Sequence, residues 1–191
     1  MKNLLLSTVI GLGFATAAVA DVTEYKLDAS HSQIVFSWNH LGYSSTTGVY
    51  SGFDGTIMFD DADAANSSVE VAFPADSLFT GWAERTAHIL SPDFFNAEAN
   101  PTVSFKSTGI EVTGENTGII TGDLTLNGVT KSVALDATMN QMGEHPMAKM
   151  PWAGFDATTT VLRSDFNVGN FAPFVGDEVT IEISIEAMKA M

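Results

Sequence analysis

The sequence predicts an all-β protein: an antiparallel β-barrel of about eight strands with one short helical insert. Apolar and polar residues alternate with period two along most of the chain, which is the pattern of strands that bury one face. Short turns join these segments, and each segment has a single apolar face. A closed barrel encloses all of those faces and leaves no sheet edge exposed. Eight strands enclose enough space for packed side chains or for one ligand.

The first residues have the composition of a signal peptide. Lys2 provides a basic start, residues 4–12 are apolar, and residues 18–20 are Ala-Val-Ala, a small-x-small cleavage pattern. The sequence therefore predicts a cleaved signal peptide over 1–20 and one mature domain over 21–191. The apolar run is short and rich in Gly and Ala, which makes it a poor membrane span. These features are typical of bacterial export, and they predict a periplasmic location.

The charge of the mature domain excludes some partners. Removal of the predicted signal peptide removes one charge, Lys2, so seven basic residues face 23 acidic ones and the net charge is −16. Such a charge argues against binding to nucleic acid and to anionic membrane surfaces. The chain contains no cysteine, so an exported form has no disulfides and its core must hold the fold.

The first four strands are predicted around residues 23–27, 34–40, 48–60 and 69–73. The second of these has a heavily aromatic face, on which Phe36, Trp38 and His40 lie together. A turn is expected over 41–47. The third segment is long and contains three glycines, which mark bulges or bends in a curving wall.

A helical insert interrupts the alternation between residues 77 and 107. Ser77 or Thr80 is a candidate cap for its helix. Four residues follow at helical spacing: Trp82, Arg85, Thr86 and Ile89. We expect the insert to close one end of the barrel. Phe94 and Phe95 are either ordinary core residues of that plug or part of a binding surface.

The last five strands are predicted around residues 103–107, 120–126, 133–139, 155–161 and 179–187. Asn127-Gly128 is a strong hairpin signal between two of them, because both residues tolerate positive φ. Loops are expected over 111–116 and 141–152. The final strand has the clearest alternation in the chain.

The sequence shows no pattern typical of a catalytic or metal centre. Its four histidines form no cluster with ligand spacing, and no nucleophile motif or phosphate loop is present. We therefore expect no catalytic residue, no metal and no cofactor. The few basic residues are more informative. An arginine beside an apolar cluster, such as Arg85, suits an anionic head group, or it pairs with a carboxylate such as Asp93 or Asp165 and holds loops together.

Several motifs in order resemble those of the YceI-like family, lipid- or polyisoprenoid-binding proteins of the bacterial periplasm. The resemblance runs from Tyr25 to about Met188, nearly the whole mature chain. It is carried by these segments: His31-Ser32-x-Ile34-x-Phe36 with His40, Phe53-Asp54-Gly55-x-Ile57-x-Phe59, Arg85-x-x-His88-Ile89-x-Ser91-x-Asp93-Phe94-Phe95, Pro101-x-x-x-Phe105-Lys106-Ser107, Gly122-x-Leu124-Thr125-Leu126-x-Gly128-Val129-Thr130-Lys131, Gly154-Phe155-x-Ala157 and Arg163-Ser164-Asp165-Phe166.

The resemblance implies an extended lipocalin-like antiparallel barrel around an elongated apolar tunnel. It implies a periplasmic carrier of a long-chain amphiphile: a polyisoprenoid, an isoprenoid quinone relative or a fatty amide. On this hypothesis the tunnel is lined by inward aromatic residues, with Phe36, Trp38, Phe53 and Phe105 as the candidates. The polar end of the ligand would meet Arg85, His40 or Arg163.

Two alternatives remain open from the sequence. One is a stress-related structural barrel, filled by its own side chains and without a ligand. The other is an enzyme that acts on an isoprenoid, which would need a general base inside the barrel. A homodimer and transient contact with a membrane are also open; outward apolar residues such as Val35 leave room for a dimer.

Overall fold

The computed structural model describes residues 22–191, so the predicted signal peptide lies outside the described residues. Ten antiparallel strands form one sheet: β1 (Val22–Leu27), β2 (Gln33–His40), β3 (Ser44–Tyr50), β4 (Asp54–Asp60), β5 (Ser68–Pro74), β6 (Thr102–Val112), β7 (Thr117–Leu126), β8 (Val129–Glu144), β9 (Pro151–Leu162) and β10 (Val175–Lys189). A helix, α1, covers Ala83–Leu90, and short 3₁₀ turns cover Ala64–Asn66, Ala75–Ser77 and Arg163–Phe166.

The sheet closes through β10, whose two edges carry three strands. One edge pairs with β9 along its length. On the other edge, β1 pairs with residues 187–189 and β2 pairs with residues 175–184. The strands β1, β4, β5, β6, β7, β8, β9 and β10 therefore form a closed ring. The predicted all-β antiparallel barrel of about eight strands with one helix is confirmed.

The hairpin of β2 and β3 extends the wall beyond β1 and β4. Within residues 22–191, the outer edge of β3 pairs with no other named strand. Instead, Val49 exchanges two main-chain hydrogen bonds with Phe79, of 2.8 and 2.9 Å, in the first part of the insert. The insert therefore joins the wall as well as covering one end of it.

Several predicted boundaries differ from the structure. The segment 48–60 is two strands, because the chain bends at Gly52, whose φ of 74° favours glycine. Much of the predicted turn over 41–47 belongs to β3. Within 141–152, which we expected to be irregular, only residues 145–150 lie between strands. Strand pairing extends to Glu144 opposite Pro151, and a proline is tolerated as the first residue of a strand.

The helix is present as predicted, but its cap is not. Trp82 occupies the N-cap position and makes no side-chain capping hydrogen bond. The Ser77 hydroxyl donates instead to the Pro74 carbonyl, at 2.8 Å. The Thr80 hydroxyl contacts the Thr86 hydroxyl at 2.8 Å, so it ties the preceding loop to the side of the helix.

Within residues 22–191, no helix has the length and apolar character that crossing a bilayer requires.

The turn from β1 to β2 is held by a buried serine. Ser32 is 5% exposed, and its hydroxyl donates to the Asp28 carbonyl at 2.7 Å and accepts from the Glu186 amide at 3.3 Å. The Asp28 amide donates to the Glu186 carbonyl at 2.8 Å. Hydrogen bonding to β10 therefore continues while the chain passes from one of its partner strands to the next.

An exposed ion pair supports the same turn. His31 Nδ1 lies 2.7 Å from an Asp28 carboxylate oxygen. Burial opposes ionisation of Asp28, but hydrogen bonds from His31 and Ser30 outweigh it and lower the pKa of that carboxyl. The hydrogen bond to Asp28 and its charge raise the pKa of His31, with a smaller contribution from Glu186.

We predict that His31→Gln changes the pH dependence of stability. The contribution of His31 is fully present below its ordinary pKa of 6.5 and is lost as pH rises through its raised folded-state value. The contribution of Asp28 is lost as pH falls through its lowered value. The wild-type protein should melt at a higher temperature than His31→Gln, and this difference in melting temperature should be larger at about pH 5.5 than at about pH 9. Thermal denaturation followed by circular dichroism measures both; an equal difference at the two pH values would contradict the prediction.

Candidate functional site

The interior of the barrel contains an elongated cavity of about 500 Å³. Every strand except β1 contributes lining side chains, most of them apolar. Representative members from around the wall are Ile34, Val71, Leu124, Phe155 and Ile183. The barrel is therefore not filled by its own side chains.

The cavity reaches both ends of the barrel. At one end, which we call the insert end, its lining includes residues of the insert and of the connection from β9 to β10, such as His88 and Phe171. At the opposite end the lining includes Ser67, Glu115 and Asn116 from turns. Phe171, Glu115 and Asn116 are exposed to solvent, so the cavity is a tunnel with an aromatic mouth and a polar one.

Two glycines make room for aromatic rings along the tunnel wall. A Cβ atom at Gly48 in β3 would overlap the ring of Phe36, meeting its Cε1 at 2.6 Å. A Cβ atom at Gly122 in β7 would meet Cε2 of Phe105 at 2.7 Å. Because these strand positions have no side chain, both rings can lie close against the neighbouring strand.

The four predicted aromatic residues all line the tunnel. Phe36, Phe53 and Phe105 are buried, and Trp38 is half-buried. Phe36 stacks on Trp38 with ring centroids 5.7 Å apart. Alternation along β2 and β6 therefore identified inward positions correctly, and contact of these residues with a ligand stays a prediction.

Arg85 also lines the tunnel, at its insert end. One terminal nitrogen donates to the Thr80 carbonyl, which anchors the side chain. Its Nε atom is buried and has no hydrogen-bond partner within residues 22–191. Neither Asp93 nor Asp165 forms an ion pair with it in the described part of the chain. Arg85 is therefore a half-buried cation whose Nε–H has no acceptor among residues 22–191.

Arg163 lines the tunnel too, but its donors are engaged. Nε donates to the Gly176 carbonyl at 2.8 Å, and Nη2 donates to the Val175 carbonyl at 2.9 Å. Nη1 donates to the carbonyls of Val168 at 2.9 Å and Asn170 at 3.3 Å. Burial lowers its pKa, against the opposing charge of Asp177. These bonds fix the connection from β9 to β10, so this residue holds a loop through main-chain carbonyls rather than through the expected carboxylates.

His40 is the last residue of β2 and lies opposite Ser44 and Val175. It lines the tunnel and is exposed, so it lies at the mouth of the insert end. The three predicted polar residues thus lie at the same end, in three settings. His40 is exposed, Arg85 is anchored and has a buried donor without a partner in residues 22–191, and Arg163 is engaged by main-chain carbonyls.

Sequence reasoning missed Tyr50, the last residue of β3. It is 5% exposed and lines the tunnel, and its hydroxyl has no hydrogen-bond partner within residues 22–191. Burial raises its pKa, so the hydroxyl keeps its proton. The available signal was the period-two register through Gly48, which puts Tyr50 on the same face; treating 48–60 as one strand obscured it.

Comparison with known proteins identifies the domain. The model of the YceI-like domain matches residues 25–187. A UPF0312 protein of Pseudomonas savastanoi pv. phaseolicola is 36% identical over 191 residues, which cover 99% of this chain and 98% of that protein. A UPF0312 protein of Ectopseudomonas mendocina is 38% identical over 195 residues, with 99% of each chain covered.

Solved structures have the same fold. The crystal structure of Burkholderia cenocepacia BcnA superposes with a TM-score of 0.75 at 27% identity and covers 84% of this chain and 98% of that chain. A polyisoprenoid binding domain from Saccharophagus degradans, implicated in plant cell wall breakdown, superposes with a TM-score of 0.67 at 13% identity, covering 87% and 98%. At that identity the second match bears on the fold alone.

We predict that Gly48→Ala destabilises the barrel. The added methyl group forces the Phe36 ring out of its position, and overpacking of this kind costs about 1–3 kcal/mol. Gly143→Ala is the matched control, because Gly143 is an exposed strand glycine with no atom within 4 Å of an added Cβ. Urea denaturation of both variants measures the free energy of unfolding. Equal stabilities would contradict the packing role of Gly48.

Proposed function

The chain belongs to the YceI-like family, and we propose that it is a periplasmic carrier that binds one long-chain amphiphile in its tunnel. The ligand classes are a polyisoprenoid, an isoprenoid quinone relative or a fatty amide. The observation that carries the proposal is the tunnel of about 500 Å³, lined by apolar side chains from nine strands. The sequence supports the periplasmic location through its signal peptide pattern.

Burial of the chain supplies the driving force. Each buried methylene is worth about 0.8 kcal/mol. For a long chain, the simple sum of these contributions would exceed the practical limit of binding affinity. Coiling of the free chain in water and its ordering in the tunnel must therefore offset a large part of that free energy. Chain burial is therefore strong and unselective, and selectivity rests on polar groups near the insert end.

The two alternatives are less well supported. A barrel filled by its own side chains would have no continuous apolar void, and this barrel has one. An enzyme would need a general base within hydrogen-bond reach of the ligand. The tunnel-lining side chains that could act as a base are all exposed, so none lies in the enclosed part of the tunnel: His40, His88, Glu115 and Asp156.

The mouth of the insert end is the proposed route by which ligand enters and leaves. Four apolar residues around it are exposed, and we call them the mouth patch: Leu41, Tyr43, Phe171 and Phe174. The Leu41 amide donates to the Phe174 carbonyl at 3.2 Å, which holds two members together. Phe171 also lines the tunnel, so the patch is continuous with the interior. We propose that the mouth patch contacts a zwitterionic bilayer transiently, because aromatic residues favour that interface and the net charge opposes an anionic one.

We predict that protein purified from its own periplasm contains a stoichiometric long-chain amphiphile. Native mass spectrometry should show one added mass, which denaturation and extraction then release for identification. An empty protein that also fails to take up added long-chain lipids would contradict the carrier function.

In titrations with an added long-chain lipid, Trp38→Ala should weaken binding by about tenfold or more, since it removes a large apolar contact. Trp82→Ala is the control, because Trp82 is 59% exposed and outside the tunnel lining.

We also predict that Phe174→Ser weakens cosedimentation with phosphatidylcholine vesicles by about fivefold, because it removes an exposed aromatic ring from the mouth patch. Phe79→Ser is the matched control: Phe79 is 65% exposed but belongs to the side wall beside Val49. Equal loss in both variants would contradict a specific contact. A concentration-dependent dimer that Phe174→Ser dissociates, with unchanged vesicle binding, would assign the patch to a second copy instead.

A further inference from the structure

Tyr50 lines an aromatic section of the tunnel and has a buried hydroxyl group. Its ring lies 5.5 Å from that of Phe36, 5.0 Å from that of Phe73 and 6.3 Å from that of Phe95, measured between centroids. The residue is 5% exposed, and its hydroxyl has no partner within residues 22–191. An unpaired buried hydroxyl costs stability, so its presence here needs a reason other than packing. A phenylalanine would fill the same ring position without that cost.

The position of Tyr50 in the barrel is well inside the mouth. Tyr50 pairs with Ile34 in β2, and Ile34 pairs with Ile183 in β10. His40, which lies at the mouth, pairs with Val175, eight positions earlier in β10. Tyr50 therefore lies in the middle of the tunnel wall and not at its rim.

Arg85, at the insert end of the tunnel, has a second donor without an acceptor in the described residues. Val49, next to Tyr50, is hydrogen-bonded to Phe79, and the following residue, Thr80, accepts a hydrogen bond from Arg85. Both Tyr50 and Arg85 line the tunnel, and Arg85 Nε has no partner in the described residues. The two residues whose buried donors lack acceptors therefore belong to neighbouring segments, and Tyr50 is surrounded by aromatic rings.

We propose that Tyr50 is a specificity-determining residue that donates a hydrogen bond to an uncharged oxygen acceptor of the ligand, such as a carbonyl, held inside the barrel. This inference rests on the proposed function, and it adds the chemistry and depth of the polar group. An aromatic, water-poor setting favours a neutral acceptor, because a phosphate would lose most of its hydration there. The raised pKa of Tyr50 is consistent with the role, since a donor must keep its proton.

The test uses three probes with similar saturated chains: methyl stearate, whose ester is an acceptor without a donor; octadecane, which has no polar group; and octadecyl phosphate, which is charged. Each displaces a fluorescent long-chain reporter from the delipidated mature protein. Tyr50→Phe removes one oxygen atom and keeps the ring. Tyr25→Phe removes the hydroxyl of a tyrosine that is also 5% exposed but lies in β1, outside the tunnel lining, so it is the matched control.

We expect Tyr50→Phe to weaken methyl stearate binding by about fivefold, the effect of one neutral hydrogen bond, and to leave octadecane unchanged. Wild type should prefer methyl stearate to octadecyl phosphate, and Tyr25→Phe should match wild type for all three probes. The ligand-free Tyr50→Phe variant should melt at the same temperature as wild type or higher, because an unpaired hydroxyl is removed. This readout shows that the variant is folded.

Two failures are distinguishable. In the first, wild type binds methyl stearate and Tyr50→Phe binds it equally well, or Tyr50→Phe weakens octadecane binding as much as it weakens methyl stearate binding. Either result would show that Tyr50 has no donor role, and the carrier function would stand. Tighter binding of octadecyl phosphate than of methyl stearate by wild type would likewise contradict the proposal that the acceptor is uncharged. If wild type binds none of the three probes, the carrier function itself is contradicted, and the inference that rests on it falls as well.

Discussion

Strand pairing along β10 is the constraint on which the rest of the molecule depends. One edge of this strand holds β9, and the other holds β1 and β2 in succession, so the sheet closes on itself. Ser32 makes that succession possible, because its buried hydroxyl bonds to main-chain groups at the point where β1 ends and β2 has yet to begin. Closure satisfies the backbone without help from the interior, and the interior can therefore remain partly empty.

Local packing determines that the space is a tunnel rather than scattered voids. Gly48 and Gly122 leave room for the rings of Phe36 and Phe105 to lie along the wall. The aromatic lining continues through Tyr50, Phe73 and Phe53. The ring centroid of Phe73 lies 5.0 Å from that of Tyr50 and 4.9 Å from that of Phe53. Residues without a side chain are thus as important to the cavity as those that line it.

The polar groups of the interior fall into two kinds, which only their partners distinguish. Arg163 donates to four main-chain carbonyls and belongs to the support of a loop. Tyr50 and Arg85 each keep a buried donor without a partner in residues 22–191, and such groups are uncommon unless something else completes them. A carrier that takes up many kinds of apolar chain can obtain selectivity from a few donors of this kind, because each discriminates between ligands that differ in a single oxygen atom.

The sequence by itself determined the fold class, most strands, the helix and the inward direction of Phe36, Trp38 and Phe105. Alternation with period two predicts strands and helical spacing predicts a helix, and both patterns are local properties of the chain. Tertiary structure decided the rest. It divided 48–60 at Gly52 and so placed Tyr50 in the wall, and it extended strand pairing to Glu144 and Pro151. It also separated Arg85 from Arg163, which the sequence treats as equivalent cations. A hydrogen-bond partner distant in sequence has no local signature, so whether a buried polar group is satisfied is known only once the barrel has closed.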